Sequence, residues 1–130
     1  MDKSIGKILV VEDDATILRI VTTMLESSGH TVVSAADGEQ ALDVFRRDQG
    51  IELVLTDIEI PIMSGIMLAS HILSLDLHVP IVFMSGCPLD LGPRFTFIAK
   101  PFRVNDLLGT IDNELARSRL TNSPDLAPAS

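Results

Sequence analysis

Apolar positions along the chain take two alternating forms, short unbroken runs and longer stretches in which they recur every three or four residues. The runs predict strands near residues 7–11, 31–35, 51–56, 80–85 and 96–99, and several are continuously apolar, as strands covered on both faces are. The spaced stretches predict helices. Ile17, Val21, Met24 and Leu25 make one apolar stripe, with Asp14 as its N-cap and Gly29 as its stop. A second helix, near 38–48, turns Ala41, Leu42 and Phe45 inward behind a capping arrangement of Asp37 and Gln40. Ser64 caps a third near 65–75, with Leu68, Ile72 and Leu75 on one side. Val104, Leu107, Leu108, Ile111 and Leu115 line the last, near 103–119.

Alternation of this kind predicts the α/β class, a single doubly wound five-stranded parallel sheet, because right-handed crossovers leave few other arrangements. One segment breaks the rhythm. Between Ser85 and Lys100 the chain carries Gly86, Pro88, Gly92 and Pro93, which predicts a fourth helix that is short, irregular or absent. Met63, Met67 and Met84 read as gap-filling core, and His30, His71 and His78, which lack ligand spacing, as surface or packing residues. Thr121 onward has turn and linker composition, so the expected division is a folded domain over 6–119 and a disordered tail or linker stub over 120–130.

A chain of 130 residues suits one domain with a real core. With five Phe and no Trp or Tyr, aliphatic side chains must fill it. The formal charge is −8 and no stripe of Lys or Arg is visible, which argues against direct nucleic-acid binding. Cys87 is alone and cannot form an internal disulfide, and Met1-Asp2-Lys3-Ser4 leads straight into a core-like strand without a leader pattern. No apolar stretch approaches the roughly 20 residues that span a bilayer, so no membrane insertion is predicted and the cytoplasm is the expected compartment.

Candidate chemistry lies at the ends of the runs. The first ends in Glu12-Asp13-Asp14, the third in Asp57, the fourth in Ser85 and the fifth in Lys100-Pro101. In an open parallel sheet those C-terminal ends line one crevice, so carboxylates, a hydroxyl and an ammonium converge there. Such a cluster suits a divalent cation and a phosphoryl group. Each residue alone has an ordinary explanation: an acidic turn feeding a helix N-terminus, a loop cap before Pro61, an exposed lysine, a strand-end hydroxyl. Taken together, with Pro61 and Gly65 following Asp57, they resemble in order the motifs of the receiver domain of two-component response regulators, over about residues 6–119.

The resemblance implies a flavodoxin-like strand order 2-1-3-4-5, with Asp57 accepting a phosphoryl group from a phosphohistidine on a histidine kinase or histidine phosphotransfer protein. It implies Mg²⁺, or Mn²⁺, on Asp13 and Asp57, with Glu12 acting through water and the Glu59 backbone carbonyl completing the protein's share. Lys100 would pair with Asp57 and then with a phosphoryl oxygen, and Ser85 would bond another. Movement of that hydroxyl would be linked to Phe97, although core packing is the more ordinary role for a phenylalanine. A cis Lys100–Pro101 bond is also implied. The domain would switch a protein-interaction surface or pass the phosphoryl group on, and is not expected to be an enzyme beyond self-phosphorylation from small donors and slow autodephosphorylation.

Two departures matter. Glu12 replaces the commoner aspartate, and Glu59 and Cys87 occupy the pair of positions that tunes phosphoryl lifetime in the family. A carboxylate there can repel the phosphoryl group or orient water, effects of opposite sign. The family's fourth helix, fifth strand and fifth helix often form the dimerisation face, and the compressed segment 86–95 predicts that part of it is missing. Two other readings stay open: a haloacid-dehalogenase-like phosphatase, whose acids two residues apart Asp57 and Glu59 imitate, and a pseudo-receiver that binds a partner without carrying phosphate.

Overall fold

The computed structural model describes residues 5–86, 92 and 95–122. Along the chain it places β1 (Lys7–Val11), α1 (Ala15–Ser27), β2 (Thr31–Ala35), α2 (Gly38–Arg47), β3 (Leu53–Asp57), α3 (Gly65–Leu75), β4 (Ile81–Ser85), β5 (Thr96–Ala99) and α4 (Val104–Asn122). The strands form one parallel sheet in the order β2-β1-β3-β4-β5, the doubly wound arrangement expected.

Strand periodicity divides the core in two. Leu9, Val11, Val54 and Phe83 pack into one layer with Ala41 and Leu42 of α2 and Leu68, Ala69 and Ile72 of α3. Ile8, Val10, Leu53, Leu55, Val82 and Met84 pack into the other with Val21 and Leu25 of α1 and Leu107, Ile111 and Leu115 of α4. Both faces are covered, so the central strands are apolar on both sides over most of their length and their runs read as nearly unbroken. Burying each such aliphatic side chain is worth roughly 1.5–3 kcal/mol.

Helix starts follow from their caps. Asp14 Oδ1 accepts from the backbone N–H of Thr16 at 2.9 Å and Ile17 at 3.1 Å. Asp37 Oδ1 accepts from Gln40 N–H at 2.7 Å, and Gln40 Oε1 reaches back to Ala36 N–H at 2.9 Å. Ser64 Oγ accepts from Met67 N–H at 3.1 Å. Just past the end of α1, Gly29 adopts φ 95°, a left-handed conformation that suits glycine.

Helix ends depart from the periodic reading. Leu75 and Val104, expected to face inward, are 50% and 41% exposed. They are the last residue of α3 and the first of α4, beyond the turns that rest on the sheet. Met67 is likewise exposed, whereas Met84 is fully buried and Met63 packs half-buried against the core. Among the histidines, His30 is a packing residue, buried with Nδ1 accepting from Gly6 N–H at 3.2 Å. The tail expected over 120–130 begins later than that, because α4 continues to Asn122; the remainder, 123–130, and most of the segment expected to form an irregular fourth helix, 87–91, 93 and 94, lie outside the described residues.

Candidate functional site

Backbone pairing delivers the polar residues to one end of the sheet. The register couples Val11 to Thr56, Asp57 to Met84 and Ser85 to Ala99. Three bonds then extend the ladders past the strand ends: Glu12 N–H to Ala35 O at 3.1 Å, Ile58 N–H to Met84 O at 3.2 Å and Lys100 N–H to Ser85 O at 2.8 Å. Glu12, Asp57, Ser85 and Lys100 are therefore set by hydrogen-bonded backbone rather than by free loop.

Lys100 sits between two carboxylates. Its Nζ donates to Glu12 Oε1 at 2.7 Å and to Asp57 Oδ2 at 2.8 Å. The remaining oxygens are also engaged, Glu12 Oε2 by Asp14 N–H at 3.3 Å and Asp57 Oδ1 by Glu59 N–H at 3.3 Å. Glu12 is only 1% exposed, and its burial pushes its pKa above the ordinary value, outweighing the hydrogen bonds from Lys100 and Asp14 that favour the charged form. Burial alone would lower the Lys100 pKa, but its bonds to Asp57 and Glu12 hold it above the usual lysine range. The ammonium is thus locked in its charged form.

Carboxylate oxygens of Glu12, Asp13 and Asp57 all lie within 4.8 Å of one another. Three hard oxygen donors, one buried, one exposed and one between, are a donor set that fits Mg²⁺ or Mn²⁺, ions that keep part of their water and need few carboxylates. The structure brings together the acids and the lysine named from the sequence, with the Glu59 backbone beside Asp57. Ser85 is buried at the neighbouring strand end. Phe97 lies further down β5, half-buried with its ring 5.4 Å from that of Phe83, a packing position. Cys87 lies outside the described residues.

The loop after Asp57 is tightly held. Gly65 N–H donates to Ile58 O at 2.7 Å, and a Cβ at Gly65 would lie 2.2 Å from the Asp57 carbonyl oxygen, so only glycine fits. On the other side, a Cβ at Gly38 would lie 2.3 Å from Met63 Cγ, which pins the loop against the start of α2. Pro61 O accepts from Met63 N–H at 2.9 Å, and between them Ile62 takes φ 78°. The Lys100–Pro101 peptide is cis.

Two contributors escaped the sequence reading. Thr56 is fully buried and its Oγ1 donates to the Asp57 carbonyl at 2.9 Å, inside what reads as a plain strand run. The Glu12–Lys100 bond joins residues 88 apart, and no local signal marks it.

The family model for the response regulator receiver domain matches residues 8–88. Among curated proteins the chain is 34% identical to the probable transcriptional regulator ycf27 of Porphyridium aerugineum, over 90% of this chain and 54% of that protein. The chain spans about half the length of the curated relatives it matches. Among solved structures it is 28% identical to a response regulator receiver domain protein from Clostridium thermocellum, with a TM-score of 0.82 over 88% of this chain and 98% of that one. It is also 28% identical to the receiver domain from the hybrid histidine kinase CckA, with a TM-score of 0.74 over 85% and 99% of the two chains.

Proposed function

Because the chain belongs to the response regulator receiver domain family of two-component signalling, we propose that Asp57 is its phosphoacceptor, taking a phosphoryl group from a phosphohistidine on a histidine kinase or histidine phosphotransfer protein. The observation that carries this reading is the single ammonium shared by Asp57 and Glu12 at 2.8 and 2.7 Å. A carboxylate attacks an anionic phosphoryl group only where negative charge is offset and the groups are held in place. In the reaction an Asp57 oxygen forms the new P–O bond, the P–N bond to the donor imidazole breaks, and its electron pair leaves with the imidazole.

Lys100 would exchange its Asp57 contact for a phosphoryl oxygen, its backbone held meanwhile by the bond from Lys100 N–H to the Ser85 carbonyl. Asp13, Asp57 and the Glu59 carbonyl would hold Mg²⁺, with Glu12 acting through water. When bound, the ion offsets phosphoryl charge. Ser85 would donate its hydroxyl to another phosphoryl oxygen, and Phe97 would report that change along β5. Glu59 is exposed beside Asp57 and, with Cys87, would set how long the phosphoryl group survives. This reading makes the domain a signalling module of the cytoplasm, without direct contact with nucleic acid and without turnover of a small phosphoester.

Intact-mass spectrometry after incubation with acetyl phosphate, and separately with phosphoramidate, tests it. The parent chain gains one acid- and base-labile phosphoryl group only with Mg²⁺, and Asp57→Asn gains none, because an amide neither attacks nor ligates comparably. Labelling of Asp57→Asn equal to the parent would refute the assignment. Repeated release of phosphate from a phosphomonoester would point instead to a phosphatase.

A further inference from the structure

Charge is distributed unevenly along this acidic chain. From Ile60 to Leu75 there is no Asp, Glu, Lys or Arg, although the chain as a whole is 22% charged. Helix α3 falls inside that span. Of the large apolar residues exposed among the described residues, Ile62, Ile66, Met67, Leu75 and Leu77 lie on or beside it, whereas Ile5, Ile20, Val104 and Leu120 are scattered elsewhere. An outward helix face in a soluble domain is ordinarily charged or polar, so an uncharged apolar one marks a contact surface.

The exposed positions of α3 are Ile66, Met67, Ser70, His71, Ser74 and Leu75, a continuous stripe at helical spacing opposite the buried Leu68, Ala69 and Ile72. The stripe matches itself when reversed. Laid antiparallel on a copy of itself about an axis between Ser70 and His71, it sets Ile66 against Leu75, Met67 against Ser74 and Ser70 against His71. Large residues meet at the ends and large meets small inside, which is how helix ridges enter grooves. Ser74 Oγ already donates to His71 O at 2.6 Å, so its hydroxyl enters such a contact satisfied.

Electrostatics restricts where a second copy can approach. Two copies each carrying −8 repel wherever their charged surfaces meet, and the α3 stripe offers an approach free of like-charge pairs. We propose that the outward face of α3 is a two-fold self-association surface, and that its partner is a second copy of this chain. The contact is isologous, with the same six side chains used by both copies. It is small, so association is weak and concentration-dependent.

Sedimentation equilibrium of the full chain from about 10 µM to 1 mM, the range suited to a weak interface, tests this. The weight-average mass is expected to rise from 14.1 kDa toward twice that value. Added salt is expected to strengthen the association, because it screens the repulsion between acidic copies and breaks no ion pair. Met67→Glu places a carboxylate in the first turn of α3, where the helix tolerates it, and is expected to weaken association at least ~10-fold by burying an unpaired charge against the uncharged stripe. In a Cys87→Ser background, Ser70→Cys beside the axis is expected to form an inter-chain disulfide on mild oxidation, and Ser27→Cys on α1 is not. A parent chain monomeric to about 1 mM overturns the proposal and leaves the face to a different protein. A dimer that persists undiminished in Met67→Glu, or that fails to cross-link through Ser70→Cys, overturns it by placing the contact elsewhere.

Discussion

Glu12 has one methylene more than aspartate, and with that reach it meets the Lys100 ammonium at 2.7 Å while remaining buried. The consequence is a signed pH dependence. A carboxyl whose folded pKa is raised binds its proton more tightly in the native state, so its contribution to stability increases as pH falls through the folded value toward the ordinary 4.5 and is constant below that. Lys100 acts at the other extreme: its contribution is complete below 10.5 and is lost as pH rises through its raised folded value. Thermal melts between pH 7 and 4.5 should therefore show a gain for the parent relative to Glu12→Gln, which has no proton to bind. Parallel pH profiles for the two proteins would exclude this origin. At this scale the acids, the lysine and the serine were legible as strand-end polar groups. Their mutual bonding was not, because it joins segments from opposite ends of the chain.

Two glycines separate what an element needs from what its neighbours impose. In the middle of α4, Gly109 has open space where a Cβ would go. Gly109→Ala should therefore gain about 1 kcal/mol from helix propensity alone, a rise of about 3–5 °C in melting temperature for a domain of this size. Gly65→Ala should instead lose about 3 kcal/mol or more, since the new methyl would meet the Asp57 carbonyl 2.2 Å away and that backbone is tied into the sheet. Differential scanning calorimetry of both variants distinguishes the two effects. Strands, helices and caps were readable because each is specified locally, by unbroken apolar runs, by stripes, or by Asp14, Asp37 and Ser64. Helix ends were less so: the stripe continues through Leu75 and Val104 after the sheet beneath has ended. The positive φ of Ile62 was invisible as well, because a β-branched residue is the least expected occupant of that conformation.

Across the whole molecule the cluster exists only when the sheet is formed, since Glu12, Asp57 and Lys100 stand at the C-terminal ends of three different strands. Any ion held there binds the folded chain and not the unfolded one, so Mg²⁺ should stabilise the fold by an amount that grows with the logarithm of its concentration above Kd, about 2.7 kcal/mol at a hundredfold excess, and raise the melting temperature accordingly. EDTA should reverse the gain, and Asp13→Asn with Asp57→Asn should remove most of it. An Mg²⁺-independent melting curve for the parent would count against the metal site.

The ladder bond from Lys100 N–H to Ser85 O also governs which length changes the chain tolerates. Residues may be added to or trimmed from the stretch between Gly86 and Phe95 while the ammonium stays where it is, because its position is counted from β4 and not along the connecting chain. One residue inserted between Thr96 and Lys100 would turn the side chain to the opposite face of the sheet. Connector length is thus free to vary among kindred sequences, while the spacing within β5 is closed to insertion.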